Sequence, residues 1–364
     1  MNHSRTHLTS PYMEYAKLHS PAKYSLASSG IQPMTLSELG ATLDDLEING
    51  GAPYGYPALQ NRIADYCGVP PDCVVPAIGT SMANHLAMAA CFDPGEDVLI
   101  EEPTYEPLLS TARFLAANIV RFRRPADESF GVDVREIERV ITPRTRLIAL
   151  CNLHNPTSAF IDDATLAQVG ELATSVRARV LVDEVYLEAI ESRPKTSFLL
   201  GNEFVVTSSL TKGYGLSGLR CGWILAEPEL ARRMWAIYDV FAGHNPYPAE
   251  ALSMVAFDHI SRVRARAQRI LDANRPVMNT FLRERCDLEC DIPEFGTCAA
   301  PRLKSGSVEE LDNLLRQKYE TAIVPGRFFE MPEHFRVGIG ASPEMTREAF
   351  VRLAAALDEY GGAL

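Results

Sequence analysis

The sequence predicts an α/β protein: a three-layer large domain on a seven-stranded, mostly parallel sheet, followed by a smaller C-terminal α/β domain. Three observations carry that expectation. Between residues 73 and 226, short apolar and β-branched runs alternate with helix-length stretches. The last connection of that region is too short for a crossover helix. From about residue 287 a second alternation of strand and helix patterns begins.

Taken in order, the arm from Met1 to about Gly55 is punctuated by proline and glycine, with YSLASSGIQP read as a turn and INGGAPYGYP as a loop. The strand candidates are CVVPAI from Cys73, DVLIEEP from Asp97, IVRFRR from Ile119, LIALCNL from Leu147, RVLVDEVY from Arg179, FVVTSSL from Phe204 and CGWILA from Cys221. Such near-continuous apolar runs belong to strands buried on both faces. Because Leu210 to Arg220 is short and glycine-rich, the last strand is expected to run antiparallel to its predecessor. EPELARRMWAIYDVFAG then reads as a helix, HNPYPAE interrupts it, and ALSMVAFDHISRVRARAQRILDANRPVMNTFLRER resumes as one long bridging helix. The expected division is an N-terminal arm over 1–50, a large domain over 51–255 and a small domain over 256–364.

Composition narrows the function. A chain of 364 residues, 46% hydrophobic and 23% charged, can bury a large core. Its 35 Lys+Arg against 47 Asp+Glu leave a net charge of −12, which repels nucleic acid and acidic membranes. Arg121, Arg123 and Arg124, and Arg262, Arg264, Arg266 and Arg269, form basic clusters, the second on a helical pattern that reads as a solvated face. Eight cysteines without a C-x-x-C pair read as reduced thiols, and eight scattered histidines suggest no metal site. MNHSRTHLTSPYMEY lacks an apolar core and no run of eighteen apolar residues occurs, so a cytoplasmic protein is expected.

Two motif matches are decoys. GYGLSG, Gly213 to Gly218, with Asp239 beyond it, is a literal G-x-G-x-x-G, but a dinucleotide site needs a helix to open there and the apolar strand LRCGWILA follows instead. GTSMA at Gly79 places Ser81 at a strand–turn–helix junction but lacks the closing glycine of a nucleophile elbow. The positive signal is a convergence at strand ends: Asn155 after LIALCNL, Asp183 within RVLVDEVY and Lys212 after FVVTSSL.

NLHNPTSAF, LVDEVY and SSLTKGYGLSGLRCGW resemble, in order and spacing, three successive motifs of the fold-type I, class I/II aminotransferases, which use pyridoxal 5′-phosphate (PLP). The resemblance extends weakly over nearly the whole chain. It implies that Lys212 forms the internal Schiff base and then serves as the base between Cα and the cofactor. It implies further that Asp183 pairs with the pyridine nitrogen, and that Tyr186 and Asn155 bond the ring oxygen. Arg220 and Ser209 match the phosphate ligands, and Gly79, Thr80 and Ser81, opening GTSMANHLAMAA, offer amides to the same anion. Tyr105 in EEPTYEP matches the ring that stacks on the cofactor.

For substrate, the resemblance assigns the α-carboxylate to Arg336 in HFRVGIG, with Asn155 as a second contact and Gly30 as the glycine of the N-terminal substrate loop. Ser158 stands where the family has glycine, and Thr211 where it has serine. The tyrosine that reaches a neighbouring subunit's phosphate aligns with Asn49 to Gly51, leaving Tyr54 or Tyr56 as substitutes. The implied protein is a homodimeric PLP-dependent aminotransferase working by a ping-pong mechanism on an amino acid and a 2-oxo acid. A PLP-dependent lyase or decarboxylase of the same fold is the alternative, since these residues serve the cofactor rather than one choice of bond.

Overall fold

The computed structural model describes residues 8–19, 22–50, 54–192 and 194–363. After a two-residue strand β1 (Tyr24–Ser25), seven strands build the main sheet: β2 (Val74–Ile78), β3 (Asp97–Glu102), β4 (Asn118–Arg123), β5 (Thr145–Cys151), β6 (Arg179–Asp183), β7 (Phe204–Ser209) and β8 (Cys221–Leu225). Their order is β2-β8-β7-β6-β5-β3-β4. β8 runs antiparallel to both neighbours, and every other pairing is parallel. The mostly parallel sheet and its reversed last strand are therefore as expected.

Side-chain alternation explains the three layers. Leu99, Ile148, Leu150, Val180, Val182 and Val206 point into one core, shared with helices Pro57–Cys67, Asp163–Ser175 and Tyr247–Asp258. Val98, Ile100, Leu147, Ala149, Leu181 and Val205 point into the other, shared with helices Gly79–Cys91, Glu106–Phe114 and Pro228–Phe241. With both faces covered, the central strands have no solvated side, which is why they read as unbroken apolar runs.

The parallel strands bring the ends of β2, β5, β6 and β7 to one edge. The reversal of β8 brings its beginning, and hence Arg220, to that same edge. Close approach is required there. An added Cβ at Gly222 would lie 2.5 Å from the Gly79 carbonyl carbon, and Gly79 itself has a φ of +71°.

Helices Ile260–Glu284, Val308–Tyr319 and Pro343–Ala363 close a second core over short strands. The expected single bridging helix is two, parted at His259 (φ −112°, ψ 19°). Ala256, Phe257 and Val263 pack in the large core while Ala267 onward packs in the small one, so the second of the two helices starts on the large core and crosses to the small one between Val263 and Ala267. The segment read as a turn contains β1, which pairs in parallel with Thr321–Ala322 and ties the arm to the second core. The arm also holds a helix, Pro11–Leu18, that the sequence reading missed; Ser10 caps it through Met13 N (3.3 Å) and Pro11 opens it.

Gly222→Ala should lower stability by about 1–3 kcal/mol, because the new methyl meets backbone that cannot swing away. Gly218→Ala is the control, since nothing lies within 4 Å of an added Cβ there. Urea unfolding of the two variants should separate them, and equal midpoints would refute the close-approach argument.

Candidate active site

At the carboxyl edge of the sheet lies a cavity of about 190 Å³. Eight of the sequence-nominated residues line it: Thr80, Ser81, Tyr105, Asn155, Asp183, Tyr186, Lys212 and Arg220. Ser209, Gly30 and Arg336 stand one contact behind, against Thr80, Lys212 and Asn155 respectively. Tyr12, Asn84 and Thr211 also line it.

One end is built for an anion. Helix Gly79–Cys91 begins there with no side-chain cap, so first-turn amides face the cavity without helical acceptors. The Gly79 amide, counted among those donors from sequence, is instead taken by the Arg220 carbonyl (2.8 Å), which leaves Thr80 and Ser81. Thr80 Oγ1 donates to Ser209 Oγ (2.9 Å), which also accepts from the Thr211 amide (3.2 Å). Thr211 Oγ1 is buried without a partner among the described residues. Arg220, in the left-handed region at φ +51°, turns its guanidinium toward the Ile78 carbonyl (3.3 Å) at the start of the helix. A side chain on Gly79 would strike that guanidinium.

The floor carries a carboxylate. Asp183, at the end of β6, is only 3% exposed. Its Oδ2 accepts from Asn84 Nδ2 (2.8 Å) and its Oδ1 from the Val185 amide (3.1 Å), while Thr207 Oγ1 holds Asn84 by its oxygen (2.6 Å). Burial still outweighs these bonds and pushes Asp183 up to about 6. A cation presented to this carboxylate from the cavity would restore its charge.

Between floor and rim sits Lys212. Burial pushes its amine below the ordinary lysine value, and Arg336 adds to this against the opposing pull of Tyr12, Cys298 and Asp183. Its Nζ donates to Ser29 Oγ (3.1 Å), which also accepts from the Tyr186 phenol (2.7 Å). Gly30 passes so close that an added Cβ would lie 3.4 Å from Lys212 Cα.

Arg336 is 1% exposed. Its Nη1 donates to Asn155 Oδ1 (3.0 Å), and its Nη2 to Tyr12 Oη (3.1 Å) and the Ala27 carbonyl (3.0 Å); all three acceptors are neutral in charge or a phenol, none a carboxylate. Nε has no partner. The guanidinium lies over the Tyr12 and Phe329 rings, 5.6 and 5.1 Å from their centroids. Burial would raise the Tyr12 phenol, but Arg336 and Lys212 outweigh it and hold Tyr12 below the ordinary tyrosine value. Tyr105 meets Tyr12 edge to face at 5.5 Å, so the arm helix lies across the site.

Sequence reasoning missed Tyr12, Ser29 and Asn84. Asn84 offered a signal, a polar residue in the apolar run of GTSMANHLAMAA, and the Ser10-Pro11 pair marked a helix start. Tyr54 packs near Trp235 (5.7 Å) and Tyr56 near Tyr247 (5.0 Å), both away from the cavity lining. Of Asn49 to Gly51, Gly51 lies outside the described residues. His154 is buried against Thr157 Oγ1 (2.7 Å) and the Pro103 carbonyl (3.0 Å), and burial holds its pKa well down.

Residues 38–353 match the family described as aminotransferase class I and II. The chain is 27% identical over 355 residues to capreomycidine synthase of Streptomyces vinaceus, spanning 93% of this chain and 90% of that one. It is 25% identical over 305 residues to an aspartate aminotransferase of Streptomyces avermitilis, spanning 77% and 73%. A PLP-dependent aminotransferase structure from Streptococcus suis superposes with a TM-score of 0.90 at 24% identity, over 96% of this chain and 97% of that one.

The Asp183 shift predicts a pH dependence. Its folded value, about 6, lies above the ordinary 3.8, so its protonated form stabilises the fold below pH 4 and that contribution is lost as pH rises through 6. Relative to wild type without added cofactor, Asp183→Asn should gain roughly 3 kcal/mol between pH 4 and pH 7. Chemical unfolding across that range tests it; parallel stability curves would contradict it.

Proposed function

Because this chain belongs to the class I and II aminotransferases, enzymes that depend on pyridoxal 5′-phosphate, we propose that it moves an amino group between an α-amino acid and a 2-oxo acid by a ping-pong mechanism. One observation carries the reading: a single cavity has an anion pocket at its rim, a buried carboxylate raised to about 6 at its floor, and a lysine amine depressed by burial between them. That donor set fits a phosphorylated pyridine aldehyde. The unpartnered Thr211 hydroxyl and the uncapped helix start supply donors for phosphate, and Asp183 calls for a ring cation.

When bound, the cofactor supplies an electrophilic carbon and a protonated ring that withdraws electrons from the substrate's α-carbon. Thr80, Ser81, Ser209 and Arg220 would hold its phosphate. Asp183, kept in place by Asn84, would keep the ring nitrogen protonated. Tyr105 would pack on the ring, and Tyr186 with the Asn155 amide would bond the ring oxygen. Lys212 would join the reactive carbon, and its freed Nζ would take the substrate's α-proton and return it. Arg336 and Asn155 bind the substrate carboxylate, Gly30 lets the substrate loop approach, and Tyr12 on the arm helix shields the charge pair from water.

We place the enzyme in the cytoplasm as a homodimer, dividing into the arm at 1–50, the large domain at 51–255 and the small domain at 256–364. Leu43, Ile48, Tyr54, Val240 and Phe241 are exposed, and such side chains are available to a second copy of the chain. Among the described residues, no helix is long and apolar enough to cross a membrane. A PLP-dependent lyase or decarboxylase of the same fold is the second reading, kept because a near full-length relative is named a synthase and not an aminotransferase.

Mixing the holoenzyme with a panel of amino acids should convert the cofactor to its amine form and release the matching oxo acid. Release of ammonia, carbon dioxide or a rearranged amino acid without that conversion would install the second reading instead. Lys212→Ala should abolish turnover, with borohydride trapping no adduct. Arg336→Ala should raise KM for α-carboxylates by roughly a hundredfold or more while leaving cofactor absorbance intact; parallel loss of both would reassign it to structure.

A further inference from the structure

We infer that Ser29 is a positioning residue for the Lys212 amine, receiving it whenever that amine is not joined to the cofactor. This rests on the role proposed for Lys212. Ser29 is 2% exposed, and its Oγ lies 3.1 Å from Lys212 Nζ and 2.7 Å from the Tyr186 hydroxyl, both of which donate to it. The serine comes from the arm, 183 residues before the lysine.

Its placement is over-determined. The Ser29 carbonyl accepts from Thr297 Oγ1 (2.7 Å), the Ile31 amide donates to the Lys212 carbonyl (2.8 Å), and the Gln32 amide donates to the Gly340 carbonyl (2.7 Å). The same loop thus grips Lys212 by its main chain and by its amine. Main-chain bonds hold both partners, so the amine is aimed rather than merely accommodated.

The chemistry follows from what a hydroxyl can accept. A hydroxyl oxygen has two lone pairs: Tyr186 fills one when it is not bonded to the cofactor's oxygen, and the other is left for an N–H of Lys212. A neutral amine bound this way keeps its own lone pair free to take the substrate's α-proton. The proton then resides on Nζ as ammonium, whose N–H bond to Ser29 Oγ is charge-assisted and stronger than the one it replaces. Ser29 therefore favours the protonated product of that step and raises the basicity of the amine. The other charged or titratable groups acting on Lys212 are Tyr12, Arg336, Cys298 and Asp183. Tyr186 does not compete for the proton: burial pushes its phenol well above the ordinary value, so it remains a donor.

Ser29→Ala and Ser29→Thr test this, with Ser29→Cys as a second weakened acceptor should the alanine variant fold poorly. In the protein without cofactor, the pH dependence of Lys212 acylation by acetic anhydride, followed by peptide mass analysis, reports the amine's titration. It should fall by about half to one pH unit in the alanine or cysteine variant and return in the threonine variant. In the holoenzyme, kcat should drop about tenfold with KM little changed, and the acid limb of the kcat profile should move down in step. An unmoved Lys212 titration in the alanine and cysteine variants would overturn the inference, as would a threonine variant no better than alanine. A titration that shifts in a protein transferring no amino group leaves the Ser29 contact standing and refutes the transaminase reading alone.

Discussion

Burying the Asp183 carboxylate at the end of β6 raises it to about 6, because the hydrogen bonds from Asn84 and Val185 offset only part of its lost hydration. Much of the site follows from that imbalance. The carboxylate is held rigidly, by an asparagine that is itself held by Thr207, yet it is left short of positive charge on the side that opens to the cavity. A positively charged partner is what such a group favours. The protein spends folding stability near neutral pH to keep that demand in place.

Sheet topology then decides what else can meet the ligand. Parallel strands deliver Asn155, Asp183 and Lys212 from successive carboxyl ends, and the helix after β2 adds its amide donors. Arg220 arrives from the opposite direction, at the start of a strand, and only the reversal of β8 places it with the others. That reversal in turn requires β8 to press against the first helical turn, which is where Gly79 and Gly222 meet. An acidic chain of net charge −12 can therefore concentrate positive potential locally without any broad basic surface.

The N-terminal arm closes the arrangement. Its helix lays Tyr12 on Arg336 and near Tyr105, and its following loop sets Ser29 on Lys212 and Gly30 against the same lysine's backbone. The arm is anchored to the small core through β1, so the Arg336 guanidinium and the Lys212 amine are both contacted by a segment that belongs to neither side of the sheet. Burial beneath this cover depresses the lysine and strengthens each polar contact within.

By itself, the sequence determined the α/β class, the seven strands, the antiparallel last strand and the strand-end residues Asn155, Asp183, Lys212 and Arg220. Those features are local: apolar runs, short glycine-rich connections and residues counted from the end of a run. Only the tertiary structure decided that Asn84 would hold Asp183 across 99 residues, Ser29 would meet Lys212 across 183 and Tyr12 would cap Arg336 across 324. It also turned the expected bridging helix into two and converted part of a supposed turn into a strand. Such partners are chosen by chain closure, which brings side chains together irrespective of spacing, and a periodic pattern carries no record of what lies opposite it.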